Sequence, residues 1–127
     1  MGRFHADTPD ERTELFGDAL AELELRRDSF VTLEAESASD DQPPWIQYRD
    51  GTINLDCTAT EYERLSGSVA NRGDVTVTSV TRPETAEGTN VKLDVRGDPG
   101  QIAAMLETWF REVYDLSDEY RAWVTTI

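Results

Sequence analysis

The chain is poor in the residues that carry most protein chemistry. It has one cysteine, Cys57, in 127 residues, so no disulfide can form within the chain and nothing points to an oxidising compartment. It has one histidine, His5. A Ser-His-Asp or Cys-His site would have to use it, and a catalytic base must be held by its surroundings. His5 precedes the first helix cap, on a stretch expected to be flexible. One His and one Cys cannot close a zinc site. No Asp-x-Asp-x-Asp-Gly calcium loop occurs, and no glycine pattern cradles phosphate. No apolar run approaches the roughly 18 residues a membrane helix needs. The opening residues, Met1 to Asp7, lack the apolar core of a signal peptide. These absences lead to the expectation of a cytoplasmic, non-enzymatic protein with no cofactor, no metal and no membrane contact.

Lysine is nearly absent too. Lys92 is the only one, and every other member of the 12 Lys and Arg is arginine, against 26 Asp and Glu, for a net charge of −14. Nucleic acid is an unsuitable partner, because phosphate binding needs a basic stripe. The acidity, the preference for arginine and the abundant threonine match proteomes adapted to molar intracellular salt, as in halophilic archaea. At about 1 M salt the Debye length is about 3 Å, so such a surface barely repels itself. The acidic coat therefore needs no basic partner to explain it.

Periodicity supplies the elements. Thr8, Pro9 and Glu11 read as N-cap, first helical residue and capping-box partner. Leu15, Phe16, Ala19, Leu20 and Leu23 then form one apolar stripe, for a helix over 9–27. Phe30 to Glu36 alternates as a half-buried strand. Asp50-Gly51 is a type I′ hairpin dipeptide. A two-residue turn there pairs Arg49 with Thr52, Tyr48 with Ile53, Ile46 with Leu55 and Pro44 with Cys57. It sets Gln47 against Asn54, and Trp45 against Asp56, on the opposite face. Thr60 and Glu63 read as the capping box of a short helix over 60–70, with Tyr62, Leu65 and Val69 on one side. Val75, Val77 and Val80 suggest a strand with a bulge, Pro83 to Gly88 a loop, and Asn90 to Arg96 an alternating strand. Asp98, Pro99 and Gln101 open the last long helix, whose buried side carries Ile102, Met105, Leu106, Trp109 and Val113. Ser117 can cap a final short helix bearing Tyr120, Trp123 and Val124.

The order is α-β-β-β-α-β-β-α. Antiparallel strands with helices against one face make a two-layer α+β domain. It is expected to be one domain over 1–127, flexible over 1–8 and ordered over 9–124.

Three segments resemble the YbjN-like family, also called TY-Chap domains, which share the fold of type III secretion chaperones. They are Trp45-Ile46-Gln47-Tyr48-Arg49-Asp50-Gly51 with Ile53-Asn54-Leu55, Cys57 to Thr60 leading into Leu65-Ser66, and Leu106 to Leu116. The resemblance spans roughly residues 12–124. It implies a chaperone-like or adaptor role in binding another protein, often with dimerisation, and no catalytic residues.

Two surfaces stand out. The outward side of the sheet carries Trp45, Gln47 and Arg49 from one strand, and Asn90, Lys92, Asp94 and Arg96 from another. Aromatic and arginine side chains anchor interfaces, so Trp45, Gln47, Arg49, Asn90, Lys92 and Arg96 form a candidate protein-binding face. Ordinary cross-strand pairing is the alternative. Tyr120, Trp123, Val124 and Ile127 make the tail apolar. They either pack on the domain or form a homodimer contact. A small-ligand or anion-binding regulatory domain, with a pocket between helices and sheet, is the alternative function. Cys57 falls on the apolar side of the hairpin as a core residue, although a reactive thiol beside a helix start is the other reading. Asp40-Asp41 suits a hard cation only weakly, and Asp98 itself caps the helix start that would otherwise meet an anion.

Overall fold

A computed structural model describes residues 5–25, 29–36, 43–82 and 88–126. The elements run β1 (His5–Ala6), α1 (Pro9–Leu23), β2 (Val31–Ala35), β3 (Trp45–Arg49), β4 (Thr52–Cys57), α2 (Ala59–Val69), β5 (Val75–Thr81), β6 (Thr89–Val95), α3 (Pro99–Glu112) and β7 (Ala122–Thr126). The seven strands form one antiparallel sheet in the order β1-β7-β2-β3-β4-β6-β5. From α1 to α3 the chain follows the order read from its periodicity. A short strand before α1 and another after α3 are added to it.

The β3–β4 hairpin shows why local chemistry suffices here. Asp50 and Gly51 both take positive φ, 49° and 82°, as a type I′ turn demands. The turn places Ile46 opposite Leu55, Gln47 opposite Asn54, Tyr48 opposite Ile53 and Arg49 opposite Thr52. Because side chains alternate between faces, this register sends Ile46, Tyr48, Ile53 and Leu55 to the same side, where all are buried. A one-residue slip would expose all four.

The helices cover that side. In α1, Phe16, Leu20 and Leu23 join the core, with Leu15 and Ala19 packed against it. In α3, Ile102, Met105, Leu106, Trp109 and Phe110 do the same. The Asp98 carboxylate accepts the Gln101 amide hydrogen at 2.8 Å, and the Gln101 side chain accepts the Asp98 amide hydrogen at 3.1 Å. This reciprocal capping box satisfies two amides left free at the helix start.

Five expectations need correction. The helix α1 ends at Leu23, with Glu24 as its cap; Arg26 and Arg27 lie outside the described residues. Its start is only half a capping box: Thr8 accepts the Glu11 amide hydrogen, but its hydroxyl donates to the Glu11 carboxylate at 2.9 Å. That carboxylate therefore does not cap the Thr8 amide. The N-cap of α2 is Thr58, two residues before Thr60, because Thr58 directly follows β4 in extended conformation. Its box partner is Glu61, not Glu63.

The stretch expected to be flexible contributes β1, which pairs with β7 at His5–Trp123 and Ala6–Ala122. The final short helix is instead the strand β7, paired along its length with β2. A five-residue helix would satisfy few of its own backbone groups, whereas β2 offers a full ladder. Most of the 36–44 loop, the 83–87 segment and Ile127 lie outside the described residues.

Candidate functional site

The helices leave the other side of the sheet open among the described residues, and strand register decides which side chains share it. Glu34 of β2 lies opposite Trp45 of β3 on one flank and opposite Trp123 of β7 on the other. His5 of β1 pairs with Trp123 in turn. Directly paired residues point to the same face, so His5, Trp123, Glu34 and Trp45 form one row across four strands. The two tryptophans stand on strands about 10 Å apart, two strand spacings. The next row runs Thr125, Thr32, Gln47, Asn54 and Lys92. The third is Arg49, Thr52 and Asp94.

Amide side chains tie these rows together. Asn90 donates to Asn54 Oδ1 at 2.8 Å and to Asp56 Oδ1 at 2.9 Å. Asn54 donates to Gln47 Oε1 at 3.5 Å, near the limit of a hydrogen bond. Beside this ladder lies a groove of about 520 Å³, lined by Phe30, Gln47, Tyr48, Arg49, Asp50, Thr52, Asn54 and Lys92. It pairs an aromatic wall with two cationic and two amide side chains. Burial holds the Tyr48 phenol above its ordinary pKa, while a hydrogen bond with the Gly51 backbone pulls the other way.

The structure therefore gathers Trp45, Gln47, Arg49, Asn90 and Lys92 on one face. Arg96 follows the end of β6, is exposed, and donates its amide hydrogen to the Asp74 carbonyl, which extends the ladder by one pair. The three described residues of the tail separate. Tyr120 is buried and Val124 packs against the core, whereas Trp123 joins the open face.

The chain matches, over residues 1–127, the model of a family of unknown function, DUF7975. It belongs to that family. No curated protein and no solved structure matches it.

In this DUF7975 chain, several participants were not legible as a site. Glu34 and Asn54 each sit in an ordinary alternating strand, and only the β2–β3 and β4–β6 pairings make them neighbours of Trp45 and Lys92. The buried ion pair was also missed. Arg12 in α1 donates through Nε to Glu107 Oε1 in α3 at 2.7 Å. Its other nitrogens donate to the Tyr120 and Asp118 carbonyls, at 2.8 and 2.9 Å. Its guanidinium lies 3.8 Å from the centre of the Tyr120 ring. The signal was present: positions 12, 16, 20 and 23 make one helical stripe, and so do 103, 106, 107 and 110. A charge of each sign on two core stripes is a pairing pattern.

Cys57 is a buried core residue. Burial, reinforced by the Glu61 charge, pushes its thiol up to about 12, the opposite of what a nucleophile needs. Among the described residues, no three His, Cys, Asp or Glu side chains gather as a metal site, and no helix is long and apolar enough to cross a membrane.

Proposed function

We propose that this protein is a non-enzymatic protein-binding domain, chaperone-like or adaptor, that takes its partner on the open face of the sheet in a salt-adapted cytoplasm. The observation that carries this reading is the row Trp123–Glu34–Trp45 on the face the helices do not cover. Two tryptophans on a rigid sheet offer large contact area at little conformational cost, and Arg49 and Lys92 beside them supply directional charge. The resemblance to YbjN-like domains, and the dimerisation that goes with it, supports the same role.

The test is affinity capture in molar KCl with the wild type and with Trp45→Ala/Trp123→Ala. The expected result is one partner at near-equal amount with the wild type, lost from the double variant, with the variant's melting temperature nearly unchanged. Equal capture by both would remove the face from the proposal.

The groove favours a second reading, a small-ligand or anion-binding regulatory domain. Phe30 would stack on a planar group while Arg49 and Lys92 meet its acid. A thermal-shift screen of nucleotides and carboxylates in molar KCl should then give a hit that Lys92→Ala abolishes. A blank screen ends this reading.

A further inference from the structure

Among the described residues, the two edges of the sheet differ. One is β1, of two residues; the other is β5, of seven. Long exposed edges invite pairing with another chain, and proteins blunt them with charge, proline or a bulge. Strand β5 has one bulge, between Val77 and Ser79, but no charge and no proline: Val75 to Thr81 reads Val-Thr-Val-Thr-Ser-Val-Thr, in a chain of net charge −14. Its own ladder leaves hydrogen bonds unspent. The Arg96 amide donates to the Asp74 carbonyl at 2.9 Å, which makes 74/96 and then 76/94 hydrogen-bonded pairs. The backbone groups of Val75 and Val77 therefore point away from β6, to the edge.

The side chains agree. Val77 pairs with Leu93 and Val80 with Val91, both on the helix-covered side. Leu93 and Val91 are fully buried, yet Val77 and Val80 remain 38% and 39% exposed. The helical layer stops short of the last strand and leaves two valines uncovered. Charge appears only at the ends of the strand, Asp74 before it and Arg82 after it.

We propose that β5 is the homodimer edge, pairing antiparallel with β5 of a second copy to join the two sheets into one. A second copy fits better than a foreign strand because the edge is self-complementary. Antiparallel pairing about a two-fold axis between Thr78 and Ser79, at the bulge of β5, sets Val77 of each copy opposite Val80 of the other, an apolar contact that the symmetry repeats. The uncharged centre is where two strongly acidic copies approach with least repulsion. The same axis brings Val77 and Val80 of both copies together and keeps both tryptophan rows on one side of the joined sheet. This inference does not depend on the function proposed above.

Sedimentation in molar KCl tests it, with amide hydrogen exchange on the same wild-type samples. The expected result is a dimer, with exchange at the Val77 amide slowing as protein concentration rises. Val77→Asp/Val80→Asp should be monomeric with unchanged circular dichroism. A wild type that stays monomeric overturns the proposal, as does a folded double variant that stays dimeric. If the double variant fails to fold, the wild-type exchange decides: a Val77 amide indifferent to concentration overturns the proposal, and a slowed one upholds it.

Discussion

Arg12 of α1 and Glu107 of α3 meet in an ion pair of 2.7 Å, with side-chain exposures of 0% and 3%. Glu107 uses its second oxygen to accept from Arg111 Nε, also at 2.7 Å. Arg12 also donates through Nη2 and Nη1 to the carbonyls of Asp118 and Tyr120, just before β7. The pair thus fastens the two long helices to each other and to the segment that delivers Trp123 to the open face.

Removing one partner of such a pair should cost far more than removing both. Arg12→Met leaves Glu107 buried and also strips two carbonyls of their donors. The expected loss is about 3 kcal/mol, at the low end for a broken buried pair because Arg111 still neutralises Glu107. Arg12→Met/Glu107→Leu should recover most of it. Urea midpoints for the wild type, single and double variants make the comparison. A single variant as stable as the wild type would show that the pair holds nothing together.

Stability should fall at high pH. Burial raises the Cys57 thiol from 9.0 to about 12 and raises the Tyr114 and Tyr120 phenols as well. The native state then keeps protons that the unfolded chain releases. The Cys57 contribution is complete below an unfolded pKa of 9.0 and is lost as pH rises towards about 12. Urea midpoints about one pH unit below and about two pH units above the unfolded thiol value measure this. Cys57→Ala should flatten the slope, and an unchanged slope would assign it to the tyrosines. In the folded protein at about pH 8 the thiol should resist thiol-directed reagents until denaturant is added.

Salt should stabilise the fold. With −14 charges on 127 residues, dilution from molar KCl lengthens the screening distance from about 3 Å to 10 Å or more, and exposed acids then repel. The melting temperature should drop on transfer to dilute buffer. The Arg12–Glu107 pair, closed to water, should contribute the same at both salt levels, so the Arg12→Met penalty should hardly change. A melting temperature indifferent to KCl would refute the salt-adaptation reading.

What the sequence determined by itself was what short-range chemistry controls. Asp50-Gly51 specified a turn, the turn specified the β3–β4 register, and the register agreed with burial. Asp98, Pro99 and Gln101 specified where α3 begins. The alternation of Val91, Leu93 and Val95 specified β6 and its inward side. Tertiary structure decided what depends on a distant partner. Ala122 to Thr126 is too short to prefer helix or strand alone, and β2, some ninety positions earlier, settled it by offering a ladder. That pairing moved Trp123 from a tail to the open face, opposite Glu34 and two strands from Trp45. It also buried Tyr120, whose carbonyl and ring Arg12 then holds. Trp45, Gln47, Arg49 and Lys92 were legible as one face because alternation is local. Their company was not, because strand order is set by which apolar sides bury best together, and no single strand carries that information.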